Sequence, residues 1–250
     1  MAYLELFALT WSLYPRRVLI YLHEKGLLPS PHIKVTPVTN VFGTRKMVAP
    51  GKPPGTVPIL VLPDGSLIKQ SIAILEYFEE LCDNPQEDWQ KEIAATAKRS
   101  SMMGRDARAR ATTREVLQLA DEATSFFTFA CRTGTKLAER MGPTNAVAAR
   151  MTMEYVWQAM RLLEAYYEGA DARVAGSDSD ETATAITIAD CVLFSLLQFS
   201  KGLYGRDIVA EIELPNLRKF YDAFSQRESA KIPADFYPRE LTEVAQVWLE

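Results

Sequence analysis

A chain of 250 residues with 28 lysines and arginines against 32 aspartates and glutamates carries a net charge of −4 and offers no basic face for nucleic acid. Its three cysteines, Cys82, Cys131 and Cys191, lie far apart, and with only two histidines, His23 and His32, no metal-ligand spacing arises. No apolar run approaches the roughly 20 residues that span a bilayer, and MAYLELFALTWSLYPRR places its positive charges after its apolar part, unlike a signal peptide. The expectation is a soluble, reduced, cytoplasmic protein that holds no metal.

Leu4 to Leu9 alternates loosely and predicts a first strand. Thr10 to Tyr14 reads as a loop, and Pro15 stands in the first turn of a helix carried by Val18, Tyr21, Leu22 and Lys25 and closed by Gly26. Ile33 to Thr36 reads as a second strand, placed at an edge by Pro31 and Pro37. Residues 39–56, with Gly43, Pro50, Gly51, Pro53, Pro54 and Gly55, read as an irregular loop. Pro58 to Leu62 is an apolar run of strand type. Asp64-Gly65 then supplies a hairpin turn, because glycine reaches positive φ at little cost, and Ser66 to Ile68 returns as the partner. Ser71 takes the N-cap position before Ile72, Leu75, Phe78 and Leu81 at helical spacing. The order β-α-β-loop-β-β-α predicts a parallel pair from the crossover and an antiparallel hairpin, hence a mixed four-stranded sheet.

At Asp83-Asn84-Pro85 the strand signals stop. Asn84 reads as a cap and Pro85 as the start of a helix. Helices are predicted over 89–111 and over 113–138, the latter with Val116, Ala120, Ala123, Phe127 and Ala130 on one face. Val147, Met151, Tyr155, Ala159, Leu162 and Tyr166 mark a third. Residues 176–185, GSDSDETATA, form an acidic low-complexity loop. Thr187 and Asp190 have the spacing of a capping box, with Ile186 and Cys191 as its hydrophobic staple. A last helix runs from Pro215 to Arg227, and the tail from Ile232 to Glu250 has no clear period. Two domains are expected: residues 1–84, and an all-helical 85–250.

Two details in the first domain point to function. Val57-Pro58 sets a proline, which has no amide to donate, at the start of a strand. Gln70-Ser71 sets two polar side chains at the positive end of a helix, a natural seat for a carboxylate.

With these residues the chain resembles the cytosolic glutathione S-transferase family over nearly its whole length. Val57-Pro58 is similar to the family's Val-Pro at the third strand, and Gln70-Ser71-Ile72-Ala73-Ile74-Leu75-Glu76-Tyr77 to its Glu/Gln-Ser helix start. Thr187-Ile188-Ala189-Asp190 resembles a helix-start motif of its second domain, and Leu214-Pro215-Asn216-Leu217 the entry to a late helix. The resemblance implies a thioredoxin-like N-terminal α/β domain, an all-α C-terminal domain, a cis Val57–Pro58 bond, glutathione as co-substrate without a metal, and a homodimer. Val57 would then pair through its backbone with the cysteinyl part of glutathione. Gln70 and Ser71 would hold the γ-glutamyl end, and Lys46 and Lys52 would reach the glycine carboxylate.

Glutathione reacts as the thiolate, and a free thiol with pKa near 8.5 is mostly protonated at neutrality. Counting back from Val18, Ser12 falls where serine-type members of the family carry the catalytic residue, with Tyr14 and Thr10 as neighbouring alternatives. The equivalent of the tyrosine-type position lies near Trp11, and no cysteine stands at the serine position. The helix start is also similar to the zeta subgroup, which includes isomerases of maleyl-type diketo acids, although Leu13 and Tyr14 stand where that subgroup has serine and cysteine. The implied activity is conjugation of glutathione to an electrophilic, largely apolar acceptor, lined by Met102, Met103 and Phe127 on the first two helices of the second domain. A glutathione-dependent isomerase, an ether or thioether lyase, and a non-catalytic glutathione-binding scaffold are the alternatives.

Overall fold

The structure, a computed structural model, describes residues 3–41, 46–175 and 186–250. Gly43 and the acidic stretch 176–185 of the sequence reading lie outside the described residues. The chain divides into two compact units. One runs up to Arg110 and takes in the short segment ending at Cys191; the other comprises most of the remaining helices.

The first unit is built from β1 (Leu4–Ala8), α1 (Leu13–Lys25), β2 (Ile33–Pro37), β3 (Thr39–Val41), β4 (Lys46–Val48), β5 (Ile59–Val61), β6 (Leu67–Ile68), α2 (Ser71–Asp83) and α3 (Asp88–Thr96). Four strands form the mixed sheet in the order β2-β1-β5-β6. β1 runs parallel to β2 and antiparallel to β5, and β5 runs antiparallel to β6. Pro31 before β2 and Pro37 at its end read correctly: that strand is an edge. The thioredoxin-like mixed sheet of the sequence reading is therefore present.

Leu6, Phe7, Val18, Ile20, Tyr21, Leu22, Ile59, Leu60, Ile74, Leu75 and Phe78 are buried in this unit's core. Gly26 ends α1 at φ 83°, with its N–H shared between the carbonyls of Leu22 and His23. The position needs glycine twice over, because a Cβ there would meet Lys98 at 2.6 Å. Lys98 in turn donates its amide to Lys25 O at 2.9 Å.

Four local expectations differ from the structure. Residues 39–56 contain a short hairpin, Thr39 pairing with Val48 and Val41 with Lys46, where Gly and Pro density had read as loop throughout. Ser71 is the first helical residue of α2, and Gln70 takes the N-cap position without a side-chain capping bond. Asn84 ends α2. The next helix starts at Asp88 behind a capping box in which Gln90 Oε1 accepts the Glu87 amide at 3.0 Å. The predicted helix over 89–111 breaks after Thr96, so Met102 and Met103 sit in a turn and not on a helix.

After the break come α4 (Ala107–Gly134), α5 (Lys136–Glu139), α6 (Ala146–Tyr166), α7 (Ala170–Ala175), α8 (Ile188–Tyr204), α9 (Ile208–Glu211), α10 (Pro215–Ser225) and α11 (Arg239–Ala245). The C-terminal region is helical as expected. The capping box at the start of α8 is formed: Thr187 N–H donates to Asp190 Oδ2 at 2.7 Å, and Asp190 N–H returns to Thr187 Oγ1 at 3.4 Å. Ile186 and Cys191 are buried around it. Such a cap contributes about 1 kcal/mol.

In the second unit α4 buries Val116, Ala120, Ala123, Phe127 and Ala130, the face read from the sequence. For α6 the helix marked in the sequence is present, and of the residues that marked it only Ala159 is buried. Its buried residues are Ala149, Thr152, Met153, Val156, Ala159, Met160 and Leu163, while Val147, Met151, Tyr155, Leu162 and Tyr166 are exposed. The tail is anchored: Leu249 N–H donates to Gly134 O at 2.8 Å, and the Trp248 ring lies 6.3 Å from that of Tyr204.

Candidate functional site

Sheet topology brings three of the singled-out segments to one end of the first unit. Phe7, near the end of β1, pairs with Ile59, the first residue of β5, so the loop after β1 emerges beside Val57-Pro58. Because β6 is antiparallel to β5, with Ile68 opposite Leu60, the chain leaves β6 toward that same end and enters α2 at Gln70-Ser71. Phe7, Leu9, Val38, Val57 and Ile59 form a buried cluster there, with Trp11, Met47, Ala49 and Val61 packed against it.

Ser12 is the N-cap of α1, half-buried, with extended backbone at φ −81° and ψ 140°. Its carbonyl accepts the Arg16 amide at 2.9 Å, the first bond of the helix. Its hydroxyl makes no capping bond, and the first turn of α1 contains no acidic residue. An anion placed at Ser12 therefore meets a free hydroxyl and the positive end of a 13-residue helix. Tyr14 belongs to α1, and Thr10 is exposed on the loop before it.

The Val57–Pro58 bond is cis. Val57 is buried, and among the described residues its N–H donates to no group of the chain and its C=O accepts from none. A short piece of extended backbone is thus left with a donor and an acceptor to offer an added strand.

At the start of α2, Gln70 is exposed and Ser71 is 5% exposed. Arg17, fully buried on α1, holds Nη1 at 3.3 Å from Ser71 Oγ and sets its guanidinium 4.9 Å from the centre of the Tyr14 ring. Sequence reasoning missed Arg17. The available signal was its spacing: with Leu13 and Tyr21 it lies four residues apart along the buried stripe, where a charged side chain needs a partner.

Lys52 is turned toward the chain, donating to Gly55 O at 2.7 Å and Pro53 O at 3.0 Å. Burial, followed by the nearby Lys69 ammonium, pulls it below the ordinary lysine value. Lys69 itself reaches Pro54 O at 3.4 Å, so two cations flank the turn that leads into Val57. Lys69 was also missed, having no motif around it. Lys46 is exposed at the start of β4. Met102 and Met103 are buried in the first unit, and Phe127 is buried in the second. Among the described residues no group of three or more histidines, cysteines or carboxylates could hold a metal ion.

Residues 11–81 match the family model of the glutathione S-transferase N-terminal domain. A glutathione transferase family member from Pseudomonas fluorescens Pf-5, solved with bound S-(propanoic acid)-glutathione, is 23% identical. The similarity covers 91% of this chain and 94% of that one at a TM-score of 0.63. Gtt2 from Saccharomyces cerevisiae is 19% identical over 90% of this chain and 98% of its own, at a TM-score of 0.60. Glutathione transferase Omega 3C from Trametes versicolor is 16% identical over 91% and 82%, at 0.58. At these identities the likeness establishes a shared fold. No curated protein sequence matches the chain.

Proposed function

From a chain that carries a glutathione S-transferase N-terminal domain on the glutathione transferase fold, we propose a glutathione transferase that conjugates glutathione to an electrophilic, largely apolar acceptor. The observation that carries this reading is the convergence of Ser12, Val57-Pro58 and Gln70-Ser71 at one end of a single sheet. A tripeptide laid across that end meets, in turn, a hydroxyl at a helix start, an open strand edge and a second helix start.

In this reading Val57 pairs through its N–H and C=O with the cysteinyl residue. Gln70 and Ser71 take the γ-glutamyl end, with the α2 amides facing its carboxylate. Lys52, with Lys46, takes the glycine carboxylate. Ser12 donates its hydroxyl proton as a hydrogen bond to the sulfur, and the α1 N-terminus adds its field, so the thiolate is favoured over the thiol. The thiolate then attacks the electrophilic carbon, the C–S bond forms, and the leaving group or the developing carbanion takes up the displaced electron pair. Bound S-(propanoic acid)-glutathione in the Pseudomonas fluorescens protein supports a glutathione adduct as product. Residues 1–84 are assigned to glutathione and 85–250 to the acceptor.

We further propose a homodimer. Val147, Met151, Tyr155, Leu162 and Tyr166 lie exposed along α6. A second chain would remove that apolar stripe from water. The reaction is assigned to the cytoplasm, where three free cysteines stay reduced.

Calorimetry with glutathione, followed by turnover with an activated aryl halide, tests the reading. Binding together with glutathione-dependent turnover is expected. Absence of glutathione binding would remove every role given above.

A further inference from the structure

Ser71 differs from three serines that stand deeper within helices of this chain. Ser195 donates its hydroxyl to Val192 O at 2.7 Å, Ser200 to Leu197 O at 3.1 Å, and Ser225 to Tyr221 O at 2.7 Å. Each satisfies its proton on a carbonyl one turn back. Ser71 opens α2, so no helical carbonyl lies one turn behind it. Its neighbour instead is Arg17 Nη1 at 3.3 Å. A guanidinium has five donors and no acceptor, so along this contact the serine oxygen accepts. The hydroxyl proton must then point elsewhere. Among the described residues nothing receives it, although the side chain is only 5% exposed.

We propose that Arg17 is a positioning residue for carboxylate recognition: by occupying the acceptor side of Ser71 Oγ it commits the hydroxyl to donate outward, to an anion at the first turn of α2. Three features act in the same direction there. The first turn of α2 contains no acidic residue. The α2 amides present the positive end of the helix dipole. Arg17 adds a full positive charge directly behind the hydroxyl, held in place by the Tyr14 ring 4.9 Å away. Arg17 is fully buried, so it acts through Ser71 and does not touch the ligand. The consequence is selectivity for an ionised group over a neutral amide or hydroxyl, since a committed donor gains most from a charged acceptor.

This inference rests on the glutathione reading, in which the anion is the γ-glutamyl α-carboxylate. The test compares calorimetric binding of glutathione with that of γ-aminobutyryl-cysteinyl-glycine, which keeps the amino group and lacks only that carboxylate. Wild type should prefer glutathione. Arg17→Met should weaken glutathione binding by about 10–100-fold, as expected for a lost charge-assisted hydrogen bond, and leave the analogue within about twofold. Ser71→Ala should behave alike, and the double variant should lose no more selectivity than Ser71→Ala alone. Arg17→Lys, which keeps a cation and a donor, should retain selectivity above the Ser71→Ala level, and it decides the matter if Arg17→Met fails to fold. Equal weakening of both ligands by Arg17→Met, or Arg17→Lys selectivity no better than that of Ser71→Ala, would overturn the role given to Arg17. Failure of wild type to bind glutathione at all would instead overturn the reading beneath it.

Discussion

The phenol of Tyr21 donates a 2.7 Å hydrogen bond to Glu79 Oε1, the oxygen that also receives Lys25 Nζ at 2.9 Å. The other carboxylate oxygen accepts the Met102 amide at 2.7 Å and the Ser101 hydroxyl at 3.2 Å. One buried carboxylate on α2 therefore fastens α1 and the turn after α3 to itself. The same region is tied again by Arg99, which donates to Glu24 O at 2.9 Å. This is the frame that holds α1, and with it Ser12, against α2 and Ser71.

Removing that carboxylate should be costly. Glu79→Ala leaves the Lys25 ammonium buried without its ion pair, which for buried pairs costs about 3–5 kcal/mol. Denaturant unfolding should show a loss of that size, against about 1 kcal/mol for Tyr21→Phe, which removes a single hydrogen bond. A Glu79→Ala loss no larger than that of Tyr21→Phe would contradict the role of Glu79 as the hub.

Alkaline pH should weaken the same frame. Burial first, then the Glu79 charge, raises the Tyr21 phenol well above its ordinary value. The folded state keeps the proton while the unfolded chain releases it near pH 10. The stability that Tyr21 contributes is thus fully present below about pH 10 and lost as pH climbs past that value. Unfolding curves of wild type and Tyr21→Phe should differ by a constant amount from pH 7 to 9 and converge above it.

The protein's own thiols should be silent during turnover. Burial, partly offset by the Lys25 charge, pushes Cys82 up to about 11, and burial raises Cys131 and Cys191 well above the usual thiol range. Reaction with a thiol-specific reagent at pH 8 should be slow for all three in the folded protein and complete after unfolding. Fast labelling of Cys82 at that pH would contradict its assignment as a neutral thiol.

The apolar stripe on α6 makes a prediction of its own. Met151→Lys and Leu162→Lys alter side chains that are 62% and 59% exposed, so each should change the stability of the single chain little. If the stripe is a dimer seam, the double variant should sediment as a monomer where the wild type sediments as a dimer. An unchanged sedimentation coefficient would place the seam elsewhere.

Features set by neighbouring residues were legible in the sequence, and those set by distant partners were not. The β-α-β crossover and the Asp64-Gly65 turn dictated strand directions, because turn chemistry and handed crossovers are local rules. Thr187 and Asp190 formed their box for the same reason: both partners lie within one turn. The α6 stripe marked its helix but not what covers it, because a periodic apolar face looks the same whether its own chain or another surface lies on it. Met102 and Met103 were placed on a helix because nothing local marks the break after Thr96. What holds them is Glu79, 23 residues away from Met102 in sequence. Arg17 was missed on like grounds, since its partner Ser71 is 54 positions distant and no local pattern joins them.

The account stands on Ser12. Its most direct test is to titrate the ultraviolet absorbance of the glutathione thiolate bound to the wild type and to Ser12→Ala. The wild type should show the bound thiol ionising clearly below its free value of about 8.5, and Ser12→Ala should return the midpoint toward that value while glutathione affinity changes by less than about threefold, the sulfur contact being one weak bond among several. A wild-type midpoint at the free value, or a Ser12→Ala midpoint as low as that of the wild type, would contradict the assignment of thiolate activation to Ser12.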